Sequence, residues 1–376
     1  MVLAELNDSV EHVDDSDGHL HDLADTAKDL HLRACKQAAP DPVALAGRLL
    51  DWALTWELGL FLDAVSDYAP VLGDAGLSAY RTLAERRWDR VPPIGPGEDR
   101  RGHSGARFAI TTVMERVADV TGGLDDLLEV MQRDQASGHA FVRIAQACRD
   151  HARDDLALDW AGRGLEAFPG EWRLSELISD VHADAGRDEE ALAVDRELFT
   201  DGPSLPRYQR LRQRAEAAGR WPPERAPALA AVRDAISLER DAGTRSPQRH
   251  RAPAWLSHHP DGSTLVEILL WEGDGDAAWD AAQRHGCDDR LWSHVAAARA
   301  EGHPADALDV YGRQLDRALQ PADKRAYQDV VRLLMLMRPL YDATGRTNSF
   351  DPLVASIRTT YKRRRTLLER LDGAGL

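Results

Sequence analysis

Ala152-Arg-Asp-Asp-Leu-Ala-Leu158 and Ala185-Gly-Arg-Asp-Glu-Glu-Ala-Leu192 are two versions of one phrase. Their Ala-Leu pairs, Ala157-Leu158 and Ala191-Leu192, stand 34 residues apart, and each opens a helical pattern that closes near a proline, Pro169 or Pro203. A period of 34, made of a helix, a short turn and a second helix, is the signature of tetratricopeptide-type repeats. The physical basis is packing: a small Ala at the start of the second helix lets paired helices approach closely, and Leu or Phe fills the groove to the next pair. The phrase therefore predicts an all-α protein, a tetratricopeptide-like helical-hairpin solenoid, or α-α superhelix.

Working outward, weaker copies follow. Ala218-Gly219-Arg220 repeats the turn, although Pro222 and Pro223 are expected to distort the helix after it. Glu272-Gly273-Asp274 precedes Ala277, Ala278 and Trp279, and Glu301-Gly302-His303 precedes Ala305, Ala307, Leu308 and Tyr311. Towards the N-terminus, Leu20, Leu23, Ala27, Leu30 and Ala34 recur at helical spacing and predict a core-facing stripe. Further helices are predicted around Val43–Ala53, Leu58–Tyr68 and Leu77–Trp88, then over Phe108–Val120 and Leu124–Asp134. Two more close the chain, at about Ala326–Ala343 and Pro352–Leu371.

Two stretches interrupt the pattern. Residues 91–106 are rich in Pro, Gly and charge, and Asp241–Pro260 combines prolines, arginines and histidines. They predict five segments: an N-terminal helical region 1–90, a loop 91–106, regular repeats 107–240, an irregular linker 241–260, and degenerate repeats 261–376 that end in a basic helix.

Composition narrows the function classes. The chain has 376 residues, a formal charge of −16, 43% apolar and 29% charged residues. That balance argues for a globular chain and against a general binder of nucleic acid or anionic membrane. No run of about 18 apolar residues occurs, and the start lacks a basic flank followed by an apolar core. Cys35, Cys148 and Cys287 are odd in number and far apart, so a disulfide framework or cysteine-based zinc site is not expected. A cytoplasmic location, with no cofactor and no resident metal, is the expectation.

Motifs for chemistry are sparse. His12, His19, His21 and His31 lie among several Asp residues, but these suit an acidic helix start whose carboxylates favour the positive dipole end. A calcium loop with Gly18 at position six would need carboxylates where Val13 and Ala24 stand. Gly102-His-Ser104-Gly-Ala106 lacks the final glycine and the preceding strand of a nucleophile elbow. Gly95-Pro-Gly97 has no following Gly-Lys-Ser/Thr, Asp274 and Asp276 mark a turn, and His258-His259 lacks a glutamate at zincin spacing. No catalytic residue is assigned.

Two binding features remain. Arg358, Lys362, Arg363, Arg364 and Arg365 concentrate positive charge near the C-terminus, where arginine could pair with phosphate. The tryptophans fall within or beside repeat helices, where most fill inter-helix grooves. Trp160, Trp172, Trp279 and Trp292 are candidate anchors for a partner.

A family resemblance adds to this. Asp14-Asp-Ser-Asp-Gly18, Leu30-His-Leu-Arg-Ala-Cys35, Pro40-Asp-Pro-Val-Ala-Leu45, Tyr68-Ala-Pro-Val-Leu-Gly73, Gly76-Leu-Ser-Ala-Tyr80, Ala161-Gly-Arg-Gly-Leu-Glu-Ala-Phe-Pro169 and Tyr361-Lys-Arg-Arg-Arg365 resemble a bacterial family of helical-repeat proteins. Its members include the C-terminal regions of bacterial SWIM zinc-finger proteins. The Cys-x-Cys and Cys-x-His element of those relatives is absent, so their zinc binding does not carry over. The resemblance implies a helical-repeat fold and a partner that supplies the missing N-terminal or zinc-finger module. The expected function is a non-catalytic protein–protein interaction scaffold or adaptor. The alternative is a nucleic-acid-associated accessory protein using the arginine-rich C-terminal helix.

Overall fold

The computed structural model describes residues 19–56, 59–98, 105–245 and 262–376. The described residues form nineteen helices and no β-strand, apart from one isolated parallel bridge between Ile94 and Asp134. No helix among them is long and apolar enough to cross a membrane. The all-α architecture of helical hairpins is the one the 34-residue period predicts.

The chain divides into two compact units, residues 1–187 and 188–376. The first contains α1 (His19–Ala38), α2 (Pro42–Thr55), α3 (Ala64–Asp67), α4 (Ala69–Trp88), α5 (Gly105–Thr121), α6 (Leu124–Met131), α7 (Gly138–Asp150), α8 (Asp154–Ala167) and α9 (Trp172–Asp184). The second contains α10 (Asp188–Asp201), α11 (Leu205–Ala217), α12 (Trp221–Arg245), α13 (Ser263–Trp271), α14 (Gly275–His285), α15 (Asp289–Arg299), α16 (Pro304–Ala318), α17 (Lys324–Ala343), α18 (Thr347–Thr360) and α19 (Arg365–Gly373).

Helix starts follow capping chemistry. Asp41 accepts from the Ala44 amide at 2.7 Å and is followed by Pro42 in the first turn of α2. Asp274 caps α14 through the Ala277 amide, and Asp323 caps α17 through Arg325 and Ala326. The expected turn at Asp274 is thus a helix start.

One device closes hairpin after hairpin. The residue after the first helix is left-handed, and the next amide reaches back five residues. The bonds are Arg153 N to Cys148 O (2.9 Å), Arg187 N to His182 O (2.8 Å), Arg220 N to Ala215 O (2.6 Å), Asp274 N to Leu269 O (2.9 Å) and Arg346 N to Tyr341 O (2.8 Å). This is the Schellman closure, which favours glycine because a Cβ crowds the left-handed backbone. Gly186, Gly219, Gly273 and Gly345 fill the position, but Ala152 occupies it in the first copy with φ 56°. Beyond the turn, the small residues of the repeat phrase are fully buried: Ala157, Ala191, Ala278 and Ala307. Gly164 extends the close approach, since a methyl there would stand 2.7 Å from Phe141 Cβ.

Several expectations need correction. On either side of the 91–106 loop, Ile110, Val113 and Val117 share one hydrophobic cluster with Leu45, Leu49, Phe61 and Tyr80. The division between the two compact units falls after Arg187. α12 continues to Arg245, past the expected linker start at 241. Ile236 on α12 and Leu265 on α13 belong to one cluster. Pro222 and Pro223 do not distort α12 but lie in its first turn, where the missing N–H groups are unpaired in any helix. The expected helix over Leu58–Tyr68 reduces to the single turn α3. Residues 1–18, with His12 and the Asp14–Gly18 run, and Gly102–Ser104 and His258-His259 lie outside the described residues.

The α1 stripe is also turned. Leu23 and Leu30, expected in the core, are 59% and 58% exposed, whereas Ala24 and Cys35 are buried. Polar anchors set this rotation. Lys28 Nζ meets Asp67 at 2.6 Å, and His31 Nδ1 lies 2.8 Å from Tyr68 Oη. The His31 ring sits among Trp52, Phe61 and Tyr68.

Finally, the single basic helix expected over Pro352–Leu371 is two helices, α18 and α19, with a turn across residues 361–364. Leu367 and Leu371 are fully buried in the cluster formed with α17, which folds the last helix back.

Candidate functional site

In the first unit, α5 and α7 face each other across a groove floored by α6. Two stripes at helical spacing form its walls, Phe108, Thr112, Glu115 and Asp119 on α5 and His139, Arg143, Gln146 and Asp150 on α7. The groove comprises a cavity of about 550 Å³ and an adjoining one of about 360 Å³, which share Glu115, Arg116, Met131 and Arg143. Met131 and Leu127 supply a buried apolar floor.

The sequence places these residues simply. The buried side of α5 carries Ile110, Val113, Met114 and Val117. Phe108 lies two residues before Ile110, about 200° around the helix from it, and so turns away from that core. It is 67% exposed, the largest exposure among the bulky apolar side chains on this groove. Ser137 precedes α7 in extended backbone and caps it with no side-chain hydrogen bond.

Charge in the groove is mostly fixed by pairing. Arg143 Nη2 donates to Glu115 Oε2 at 2.6 Å, bridging the two walls between the two cavities. Arg116 donates to Asp63 at 2.5 Å, and that hydrogen bond pushes its pKa further above the ordinary arginine range. Arg107 donates to the carbonyls of Pro92 (2.6 Å) and Arg133 (2.9 Å), and so ties the loop after α4 to the end of α6. His139, by contrast, is exposed at the rim, 3.5 Å from Arg173 Nη1. Such a surface offers one free aromatic ring, hydroxyls and an exchangeable ion pair. Among the described residues no group of three or more His, Cys, Asp or Glu is arranged to hold a metal ion.

The candidate anchors are placed elsewhere. Trp160 is 4% exposed, packed 6.0 Å from Phe141 with the Arg163 guanidinium 3.7 Å over its ring. Trp172 is 46% exposed at the start of α9. In the second unit Trp279 and Trp292 meet edge to face at 5.9 Å, half-buried, with Arg299 and Arg313 over them.

The basic residues divide into two roles. Arg358 binds Asp372 at 2.5 Å and the Leu376 carbonyl, tying α18 to the chain end. Arg364 donates to the carbonyls of Leu319 and Pro321 at 2.8 Å and of Gln320 at 3.3 Å, closing the end of α16. Lys362, Arg363 and Arg365 are exposed and form no ion pair among the described residues.

The groove residues Phe108, Glu115 and Arg143 were not singled out by sequence. The available signal was Phe108 itself, a bulky apolar residue off the buried stripe of its helix.

The family described as "Family of unknown function (DUF6880)" matches residues 2–202. No curated protein matches the chain. Among solved structures, the human IFIT1 dimer with m7Gppp-AAAA is 11% identical, with a TM-score of 0.25 over 96% of this chain and 94% of that one. The human IFIT1 dimer with PPP-AAAA is 13% identical, with a TM-score of 0.24 over 97% and 94%.

Proposed function

We infer that this chain, which belongs to the DUF6880 family of unknown function, is a non-catalytic scaffold that holds a segment of a partner protein in the groove between α5 and α7. The observation that carries this reading is Phe108, two-thirds exposed on the wall of a 550 Å³ groove. An aromatic side chain beside a cleft gains contact area on binding, and its burial contributes about 1.5–3 kcal/mol. Trp172, exposed on α9, is a further anchor in this reading. A cytoplasmic setting accords with three cysteines that form no disulfide.

The test is selection of displayed peptides on the full chain, followed by fluorescence anisotropy. Phe108→Ala is expected to weaken the selected peptides by about tenfold or more. Peptides that bind equally well to Phe108→Ala and Arg143→Ala would place the contact elsewhere and overturn the reading.

A second reading, nucleic-acid contact, is favoured only by the unpaired Lys362, Arg363 and Arg365. Its other two residues, Arg358 and Arg364, already hold carbonyl and carboxylate oxygens of the chain.

A further inference from the structure

Beside the last turns of α2 and α4 lies a second hollow of the first unit, about 400 Å³ in volume. Leu54 from α2, Val91 and Pro92 from the segment after α4, and Ile110 from α5 supply its apolar wall. Its polar lining is cationic, with Arg87, Arg90 and Arg107, apart from the hydroxyl of Thr55. Among the described residues no carboxylate lines it.

The wall is fixed before anything binds. The Ile94 amide donates to the Arg133 carbonyl at 2.8 Å, and the Ile94 carbonyl accepts from the Gln135 amide at 2.8 Å. Arg107 Nη1 donates to the Pro92 carbonyl at 2.6 Å, and Arg133 Nη1 to the Trp88 carbonyl at 2.8 Å. Residues 91–94 are thus pinned from both sides, and a site already shaped loses little freedom when it is filled.

The cations are not equivalent. Arg87 Nη2 lies 2.6 Å from Asp51 Oδ1, and Arg107 has both Nη atoms on backbone carbonyls. Arg90 is exposed and forms no ion pair or side-chain hydrogen bond among the described residues. The ends of α2 and α4 contribute about half a negative charge each, so with Asp51 counted the hollow keeps an excess of about one positive charge.

We propose that this hollow binds a small aliphatic monocarboxylate, its head group on Arg90 and its hydrocarbon tail along Leu54, Val91 and Ile110. The volume falls at the lower end of the ~300–1,000 Å³ of small-molecule sites. One unpaired guanidinium and a single excess charge match one negative charge rather than a doubly charged phosphate, and the guanidinium fork takes both carboxylate oxygens. The stems of Arg87 and Arg90 extend the apolar surface beside the tail. A peptide C-terminus offers the same head group, but its amides would go unpaired. The one hydroxyl, Thr55 Oγ1, already donates to the Asp51 carbonyl at 2.7 Å, and the rest of the wall is hydrocarbon.

The test is isothermal titration calorimetry on the full chain with acetate, butanoate, hexanoate and octanoate, and with octan-1-ol as the neutral counterpart. Octanoate should saturate a single site, with affinity rising about fourfold per added methylene along the series. Octan-1-ol should bind about tenfold or more weakly than octanoate, and Arg90→Glu should weaken octanoate by a similar factor. Arg90 is exposed, so circular dichroism and melting of that variant should match the parent. Arg86→Glu makes the same change of charge at an exposed residue of α4 outside the hollow, and should bind octanoate as the parent does. Arg90 does not line the groove between α5 and α7, so this result and the peptide result stand or fall separately. No saturable binding at low millimolar octanoate, equal binding of octan-1-ol, or equal effects of Arg90→Glu and Arg86→Glu would each overturn the proposal. Tighter binding of acetyl-alanyl-leucine than of octanoate would overturn the choice of a free acid.

Discussion

Replacing Ala152 by glycine should make the protein more stable, although it removes a methyl group and adds no contact. The residue closes the α7–α8 hairpin with φ 56°, whereas the matching turns use Gly186, Gly219, Gly273 and Gly345. Its side chain is exposed, so no packing is lost. A left-handed conformation costs a non-glycine residue about 1–2 kcal/mol. The added freedom of glycine in the unfolded chain takes back about 0.4–1 kcal/mol. The net gain is about 0.5–1 kcal/mol, which raises Tm by about 1–4 °C for a unit of this size. Differential scanning calorimetry of the full chain, following the transition of the first unit, measures it. The reverse exchange, Gly186→Ala, should lower the same transition by a similar amount. An unchanged or lower Tm for Ala152→Gly, with Gly186→Ala neutral, would refute the argument that one left-handed closure recurs along the chain.

Two further outcomes are expected. Burial, and then the nearby Arg48, hold the His31 pKa below its ordinary 6.5, while burial pushes the Cys35 thiol and Tyr68 phenol up, so those two stay neutral. As pH falls through 6.5 the unfolded chain takes up a proton that folded His31 declines, so stability decreases from there downward. His31→Gln keeps a partner for Tyr68 and should flatten that part of the pH–Tm profile; an identical profile would show that His31 is not the group responsible. For nucleic acid, the groove reading expects weak binding at moderate salt that is indifferent to substituting Lys362, Arg363 and Arg365 by Glu. A drop in salt slope of about two to three on that triple substitution would move the argument to the basic turn.

The regular part of the fold was legible because its determinants are local. Ala157 and Ala191 are small where helices must touch, and the turns before them carry Gly or Asp at fixed offsets. The rotation of α1 was not legible, for the opposite reason. Its buried side is built from Ala24, Lys28, His31 and Cys35, which look polar or neutral in sequence, and its partners Asp67 and Tyr68 are more than thirty residues away. Hydrophobic periodicity therefore picked the wrong face. The split of the last helix was hidden likewise: Arg364 reads as one more surface charge, yet it closes the end of a helix over forty residues earlier. The groove walls, polar at every third or fourth residue, have the pattern of any solvated helix face. Only Phe108 departs from it.

The Glu115–Arg143 contact sets a condition on whatever enters the cleft. Glu115 is only 15% exposed, so stripping away its cation leaves a carboxylate with little water to take the place. A wholly aliphatic segment lying across the middle strands both ions and is penalised for it. A segment bearing its own acid and base at matching spacing can trade partners with the pair and lose nothing. If the groove holds a partner segment as proposed, it would discriminate by the order of charges along that segment, with the Phe108 ring at one end setting which way round it lies.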